Sequence, residues 1–179
     1  LQKGLDFFSY DHYTFMTEDS AIKQTADDGR ISFLSELYMG RLTGIEMDVD
    51  TMKIVLLIEH NWGKGTDGYT AYRKLTEEEL RWEAMSVVAY GYSALSYFTY
   101  RSPGEYDTSG SYWGDAIIKY NGEKSEYYDY VSRINADVLK MGAILYGKQS
   151  KEVFYLGVLA FTESGSAKDH RTVCFNKFE

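Results

Sequence analysis

Cysteine and histidine are scarce in this chain of 179 residues. Cys174 is the only cysteine, which excludes an internal disulfide and a zinc site built from several thiolates. The three histidines include no pair four residues apart on a predicted helix, so the sequence indicates no metal site. The glycines at 63, 65 and 68 lack the Lys-Ser or Lys-Thr pair of a phosphate-binding loop. We therefore expect neither a metal nor another cofactor.

Basic residues and long apolar runs are also in short supply. The chain has 19 Lys and Arg against 27 Asp and Glu, which gives a formal net charge of −8 and a pI of about 4.9. A nucleic-acid binder needs a basic surface to neutralise phosphates, so that class is disfavoured. No apolar run approaches the ~18 residues of a membrane-spanning helix, so we expect no membrane span. Because the chain begins at Leu1 without Met or a recognisable signal peptide, we expect a processed or truncated product.

Tyrosine, by contrast, is abundant. The chain has 17 tyrosines, and aromatic residues reach 16% of the total. Tyrosine combines a flat apolar ring with a polar hydroxyl, which suits a lined ligand cleft or a surface that binds carbohydrate. Filling of the core and of interfaces is the favoured explanation for most of them. The surplus is therefore consistent with a carbohydrate site but does not identify one.

Apolar patterning predicts strands that alternate with helices. The apolar stripe over 33–45 predicts a helix with Ser32 as its N-cap. Thr76 and Glu79 form a capping box that begins a second helix, and the stripe over 127–141 predicts a third. The predicted strands cover residues 5–10, 53–59, 94–99, 115–120 and 152–161.

This alternation implies an α/β fold in which right-handed crossovers join parallel strands. Two architectures fit: an open doubly wound sheet and part of a (β/α)8 TIM barrel, which when complete takes about 250 residues and eight strands. Both bind ligands at the carboxyl ends of the strands. Glu59 lies at that end of the most apolar strand, beside His60 and Trp62. It is therefore the leading candidate for chemistry.

Five stretches, taken in order, resemble the last third of a clan A glycoside hydrolase barrel, close to the β-galactosidase-like enzymes of family 42. Each stretch is short, so their order and spacing between residues 5 and 145 carry the resemblance. Thr14 departs from the family, which has proline there, and Arg101 stands where the family often has tryptophan. The five stretches are residues 9–13, 53–60, 78–100, 113–124 and 128–135.

The resemblance implies a C-terminal portion of a barrel with a retaining glycosidase site. Residues 1–147 would contain barrel strands six to eight with their helices, and residues 148–179 a terminal strand and tail. Glu59 matches the nucleophile at the end of the seventh strand. The residues matched to the sugar-binding pocket are Asp11, Tyr13, His60, Tyr100 and Trp113.

The resemblance also implies that the site is incomplete. Retaining hydrolysis needs a second carboxyl group, about 5–5.5 Å from the nucleophile, as general acid and base. The family carries this residue on the fourth barrel strand, which nothing in the sequence matches. The implied reaction is cleavage of a β-glycoside, with β-galactosides as first candidates, once the remainder of the barrel or a second copy of the chain completes the site. A secreted or periplasmic setting follows from the resemblance alone.

Three other interpretations stay open. On sequence alone, Glu59 is equally well explained as a solvated carboxylate or as half of an ion pair. Arg101 and the unmatched acid/base residue favour a relative that binds or scaffolds glycans without cleaving them. A self-sufficient flavodoxin-like domain would have an open doubly wound sheet, whereas a partial barrel would expose apolar strand edges.

Overall fold

The computed structural model describes residues 6–17, 30–62, 70–104, 111–156 and 173–178, and these residues form a mixed α/β fold. None of the helices in these ranges is long and apolar enough to cross a membrane. In chain order the elements are β1 (Phe7–Asp11), α1 (Arg30–Met47), β2 (Asp50–Leu56), β3 (His60–Trp62), β4 (Thr70–Tyr72), α2 (Glu77–Ala89), β5 (Ala94–Phe98), β6 (Tyr112–Trp113), α3 (Glu126–Leu145), β7 (Ser150–Leu156) and β8 (Val173–Phe178).

A parallel three-stranded sheet in the order β1-β2-β5 forms the centre of the fold. The strand order follows the chain order, so the described strands lack the reversal that defines a doubly wound sheet. Right-handed crossovers in a sheet without reversal bring successive helices to one face. A second, antiparallel sheet in the order β4-β3-β6 follows the carboxyl end of β2, and β7 pairs with β8.

The two faces of the parallel sheet are covered unequally. On the helix face, the hydroxyl of Tyr97 donates to Oδ1 of Asn135 on α3 at 2.9 Å. On the opposite face, which we call the open face, Phe7 is 52% exposed and Phe98 is 37% exposed. Asp11 on the same face is exposed as well. Among the described strands, β1 and β5 each pair along one edge only.

Lys53 lies fully buried on the helix face of the central strand. Its Nζ donates to the carbonyl oxygens of His12 at 3.3 Å and Ile54 at 3.2 Å, and it lies 4.5 Å from the centroid of the Tyr10 ring. Burial lowers the pKa of Lys53 to about 8, because the ammonium loses water that these partners replace only in part. The side chain thus ties the end of β1 to β2.

Glu83 on α2 is also fully buried and faces the same layer. Neither of its carboxylate oxygens makes a hydrogen bond within the part of the chain that the structure describes. Burial raises the pKa of Glu83 to about 8, an effect that the charge of Lys53 offsets in part. At neutral pH the carboxyl group is therefore mainly protonated and neutral.

Gly40 on α1 allows close packing of the helix on the sheet. The hydroxyls of Tyr10 and Tyr92 touch each other there, and that of Tyr92 donates to the carbonyl of Leu37 at 3.0 Å. A Cβ at Gly40 would clash with the Tyr92 hydroxyl and lie 2.8 Å from that of Tyr10. Both hydroxyls donate to backbone carbonyls of α1, so neither ring can move aside without loss of a hydrogen bond.

We expect Gly40→Ala to destabilise the protein by about 1–3 kcal/mol, the usual effect of overpacking a core. The matched control is Gly142→Ala, since Gly142 is exposed on α3 and a Cβ there meets nothing within 4 Å. The control should be neutral or stabilising by up to about 1 kcal/mol through helix propensity. Urea unfolding of both variants measures the difference. Equal stabilities for the two variants would contradict the packing of α1 on the sheet.

Capping residues and apolar patterns in the sequence predicted some of the observed helix and strand ends. The capping box is confirmed, because Glu79 N–H donates to Oγ1 of Thr76 at 3.3 Å and Thr76 N–H donates to Oε2 of Glu79 at 3.0 Å. The strands predicted at 5–10 and 94–99 are present with small shifts at their ends. The prediction that Ser32 caps α1 is wrong, because the helix begins at Arg30 and Ser32 lies inside its first turn.

Two strand predictions require correction. The strand predicted at 53–59 runs from Asp50 to Leu56, and the apolar Leu57 and Ile58 that follow it are buried outside the strand. The strand predicted at 115–120 is not a strand. There, the N–H of Ala116 donates to Oγ of Ser102 at 2.8 Å, and the carbonyl of Ile117 accepts from the N–H of Ser125 at 3.1 Å. Ile118 alone forms isolated β-bridges, with Arg101 and Lys124, and the contacts with Ser102 and Ser125 take the place of a continuous ladder.

The terminal strand predicted at 152–161 corresponds to β7, and its last residues lie outside the described ranges. Its partner β8 was not predicted. Arg41 of α1 fastens β7 to the rest of the fold: its guanidinium donates to Oγ of Ser150 at 2.7 Å and to the carbonyl of Lys151 at 2.7 Å. The domain division after residue 147 stays a prediction.

Candidate functional site

Glu59 follows the central strand at the carboxyl end of the parallel sheet, three residues after β2 ends. Its side chain is half-buried, and its carbonyl accepts a hydrogen bond from the N–H of Gly114 at 2.8 Å. A Cβ at Gly114 would lie only 2.9 Å from the Cβ of Glu59. Glycine at 114 therefore lets the chain after β6 approach the base of the Glu59 side chain.

The antiparallel sheet places aromatic rings beside Glu59. His60 on β3 pairs in register with Trp113 on β6, and the two rings stack with centroids 3.7 Å apart and an interplanar angle of 15°. His60 is 8% exposed, whereas Trp113 is half-buried. Cross-strand ring pairs of this kind stabilise a sheet and hold both rings in fixed orientations.

Further ring contacts extend this pair into a line across the end of the sheet. Phe98, at the end of β5, lies 5.9 Å from Trp113 and 6.4 Å from Tyr13 between ring centroids. Tyr13 in turn meets Tyr72 edge to face at 5.6 Å. We call the five rings the aromatic row: Tyr72, Tyr13, Phe98, Trp113 and His60.

Asp11 supplies negative charge at one end of the aromatic row. Burial and then a hydrogen bond with Asp11 raise the pKa of Tyr13 above its ordinary value. Burial and the charge of Asp11 raise the pKa of Tyr72 in the same way. Both tyrosines therefore keep their protons at neutral pH and act as hydroxyl donors and acceptors. Together with the carboxylate, they offer the polar contacts that a polyhydroxylated ligand requires.

A cavity of about 250 Å³ opens beside Glu59. This is smaller than the ~300–1,000 Å³ of sites for drug-sized ligands, so it suits a single small group such as one sugar ring. Gly114 forms part of its wall, and Trp113 joins it to the aromatic row. The side chains that line it are Glu59, Lys74, Tyr112, Trp113, Asp115 and Tyr127.

Charge in this cavity is of both signs. Lys74 forms an ion pair with Glu126, whose hydrogen bond raises the pKa of Lys74, so the ammonium stays protonated. Burial raises the pKa of the Tyr127 hydroxyl, which accepts a hydrogen bond from the N–H of Leu75 at 3.0 Å. The carboxylate of Glu59 thus lies in a cavity that also holds a cation and a neutral phenol.

Most of the predicted site residues come together at this end of the sheet. Glu59, His60 and Trp113 form one connected group, and Asp11 and Tyr13 join it through Phe98. Tyr100 does not join them: its side chain is 66% exposed, and no ring contact links it to the aromatic row within the described residues. The side chains that the sequence did not point to are Tyr72 and Phe98 in the aromatic row and Lys74, Tyr112, Asp115 and Tyr127 in the cavity.

Phe98 ends a predicted strand and was detectable as its last apolar residue. Tyr72 belongs to β4, whose register against His60 no sequence pattern indicates. No group of three or more His, Cys, Asp or Glu side chains is placed to hold a metal ion in the described ranges. No protein-family model, curated protein or solved structure matches the chain. The geometry of the site is therefore the basis for assigning a function.

Proposed function

We propose that the chain carries the nucleophile and part of the sugar-binding surface of a retaining β-glycosidase. The observation that carries the proposal is that Glu59, after the central parallel strand, shares a sugar-sized cavity with Trp113. Flat ring faces beside a carboxylate suit a pyranose, whose C–H face packs on the ring while its hydroxyls bind polar groups. β-Galactosides are the first substrates to test.

The course of the parallel sheet supports a partial barrel. Three consecutive strands without reversal, and helices on one face, correspond to neighbouring units of a (β/α)8 barrel. The open face would then become the barrel interior, and the edges at which β1 and β5 pair with no described strand would pair with further strands. The partner that supplies those strands is the remainder of a barrel or a second copy of this chain.

In the proposed reaction, the carboxylate of Glu59 attacks the anomeric carbon and forms a covalent glycosyl ester. The bond to the departing oxygen breaks, and that oxygen takes a proton from an acid/base carboxyl group supplied from outside this chain. Water, activated by the same outside group, then releases the sugar with retained configuration. Asp11 and Tyr13 bind sugar hydroxyls from the far end of the aromatic row.

The test exploits a leaving group that needs no proton. A fluorinated β-galactoside with a dinitrophenol leaving group can transfer its sugar to Glu59 without an acid, because dinitrophenolate leaves unaided. Fluorine beside the anomeric carbon slows hydrolysis, so the ester accumulates. We expect mass spectrometry to find one sugar per chain, attached to Glu59.

Glu59→Gln should abolish this labelling, while Glu78→Gln, at an exposed position of α2, should leave it unchanged. Labelling elsewhere, or labelling that survives Glu59→Gln, would show that the nucleophile assignment is wrong.

A second candidate is a glycan-binding protein without turnover. Arg101 stands where the resembled family often has tryptophan, so a cation replaces a sugar-stacking ring at this position, and its guanidinium donates to the carbonyl of Tyr120 at 3.1 Å. Quenching of tryptophan fluorescence by galactosides, with no label on Glu59, would select this candidate.

A further inference from the structure

His12 joins a hydroxyl and a carboxylate through its two ring nitrogens. It follows β1, and its Nε2 lies 3.1 Å from Oγ of Ser32 in the first turn of α1. Its Nδ1 lies 2.8 Å from Oε1 of Glu36, one turn further along the same helix. The four-residue spacing puts Ser32 and Glu36 on one face of α1, where the imidazole meets both.

The hydrogen-bond partners determine the tautomer of a neutral His12. An ionised carboxylate only accepts hydrogen bonds, so Nδ1 carries the proton and donates it to Glu36. Nε2 then presents its lone pair to Ser32 and accepts from the hydroxyl. This is the arrangement that activates a serine nucleophile: a base beside the hydroxyl, itself oriented by a third group.

These groups are partly exposed and lie at the sheet end where α/β folds place sites. The side chain of His12 is 18% exposed and that of Glu36 is 44% exposed, while Ser32 is half-buried. The positive end of the α1 dipole lies next to Ser32 and favours negative charge on a substrate oxygen. None of the three residues lines the Glu59 cavity.

We propose that Ser32, His12 and Glu36 form a second site that hydrolyses carboxylic esters. Oγ of Ser32 attacks the carbonyl carbon while its proton passes to Nε2 of His12. The tetrahedral intermediate collapses, the bond to the alcohol oxygen breaks, and His12 returns the proton to that oxygen. Water attacks the acyl ester on Ser32 by the same route and releases the acid. Glu36 is a positioning residue that holds the imidazole in the required tautomer.

A fluorophosphonate probe tests the proposal on the whole chain, because it reacts with activated serines and expels fluoride. We expect one probe per chain, located on Ser32 by peptide mass spectrometry, and p-nitrophenyl acetate hydrolysis that the probe blocks. Ser32→Ala should abolish labelling. Ser35→Ala, at an exposed position one turn along the helix face, should leave the labelling rate unchanged.

Removal of the base or of its orienting group should slow labelling by at least about 100-fold, the usual contribution of general base catalysis. His12→Gln tests the base, and Glu36→Gln tests the orientation. Thermal midpoints of both variants, measured alongside, separate a loss of stability from a loss of base catalysis. Glu36→Asp keeps the carboxylate and should retain most of the rate. Absence of probe on wild-type Ser32, or equal rates in wild type and Glu36→Gln, would overturn the proposal whatever the outcome at Glu59.

Discussion

Replacing Glu83 with glutamine is expected to stabilise the protein strongly above pH 8 and to leave its stability almost unchanged near pH 5. The pKa of Glu83 rises from 4.5 to about 8 on folding, because the carboxyl group is buried with little compensation. Each tenfold change in proton affinity between the folded and unfolded chain corresponds to about 1.4 kcal/mol, so the full effect is several kcal/mol. Glutamine has nearly the same shape and cannot ionise.

The direction in which stability changes with pH follows from proton uptake on folding. Between about pH 4.5 and 8 the native state holds a proton on Glu83 that the unfolded chain has lost, so wild-type stability falls as pH rises. Lys53 has the opposite effect, at higher pH. Its pKa falls from 10.5 to about 8 on folding, so the unfolded chain holds the extra proton between these values and stability increases as pH rises from about 8 toward 10.5. Together the two groups predict a stability minimum near pH 8.

Urea unfolding of wild type and Glu83→Gln across pH 5 to 9 measures the effect. Glu78→Gln is the matched control, because Glu78 is exposed on the same helix and should follow the wild-type curve. If Glu83→Gln shows the same decline between pH 5 and 8 as wild type, Glu83 ionises normally in the folded protein.

The second large effect concerns turnover at Glu59. With an ordinary dinitrophenyl β-galactoside, we expect a burst of one dinitrophenolate per chain followed by a stall, because no outside base activates water. Azide is a strong nucleophile that needs no base. Azide should raise the steady-state rate of dinitrophenolate release after the burst by about 100-fold or more, which is the size of a general-base contribution. The product should be a glycosyl azide of retained configuration.

Glu59→Gly changes the stereochemical outcome. Azide can then occupy the space of the missing carboxylate and attack the substrate directly, so the product should have inverted configuration. The anomeric proton coupling in the NMR spectrum distinguishes the two azides. Retained product from Glu59→Gly would place the nucleophile at another residue.

Sequence patterning predicted the features that depend on neighbouring residues. Thr76 and Glu79 are three residues apart, and their capping box needs nothing beyond the helix itself. The carboxyl-end position of Glu59 was also predictable, because an apolar run followed by polar residues marks the end of a buried strand. The run could not show that β2 ends at Leu56, since Leu57 and Ile58 follow the strand and are buried as well.

Features that depend on distant contacts were not predictable in the same way. The stacking of His60 on Trp113 joins residues more than fifty positions apart. It depends on the register between β3 and β6, and no turn sequence between these strands indicates that register. The apolar residues Ala116 and Ile117 resemble a strand in sequence, but Ser102 and Ser125 satisfy their backbone groups. Ser32 resembles a helix cap, and only the fold shows that its hydroxyl meets His12.

The sequential strand order β1-β2-β5 has a consequence for how the chain folds. Each strand pairs with the strand of the preceding or the following unit, and the paired residues, such as Phe7 with Asp50 and Met52 with Ala94, lie more than forty positions apart. The chain between two strands must close before their contacts form, which makes parallel pairing intrinsically slow. We therefore expect the three strands to fold together as one unit.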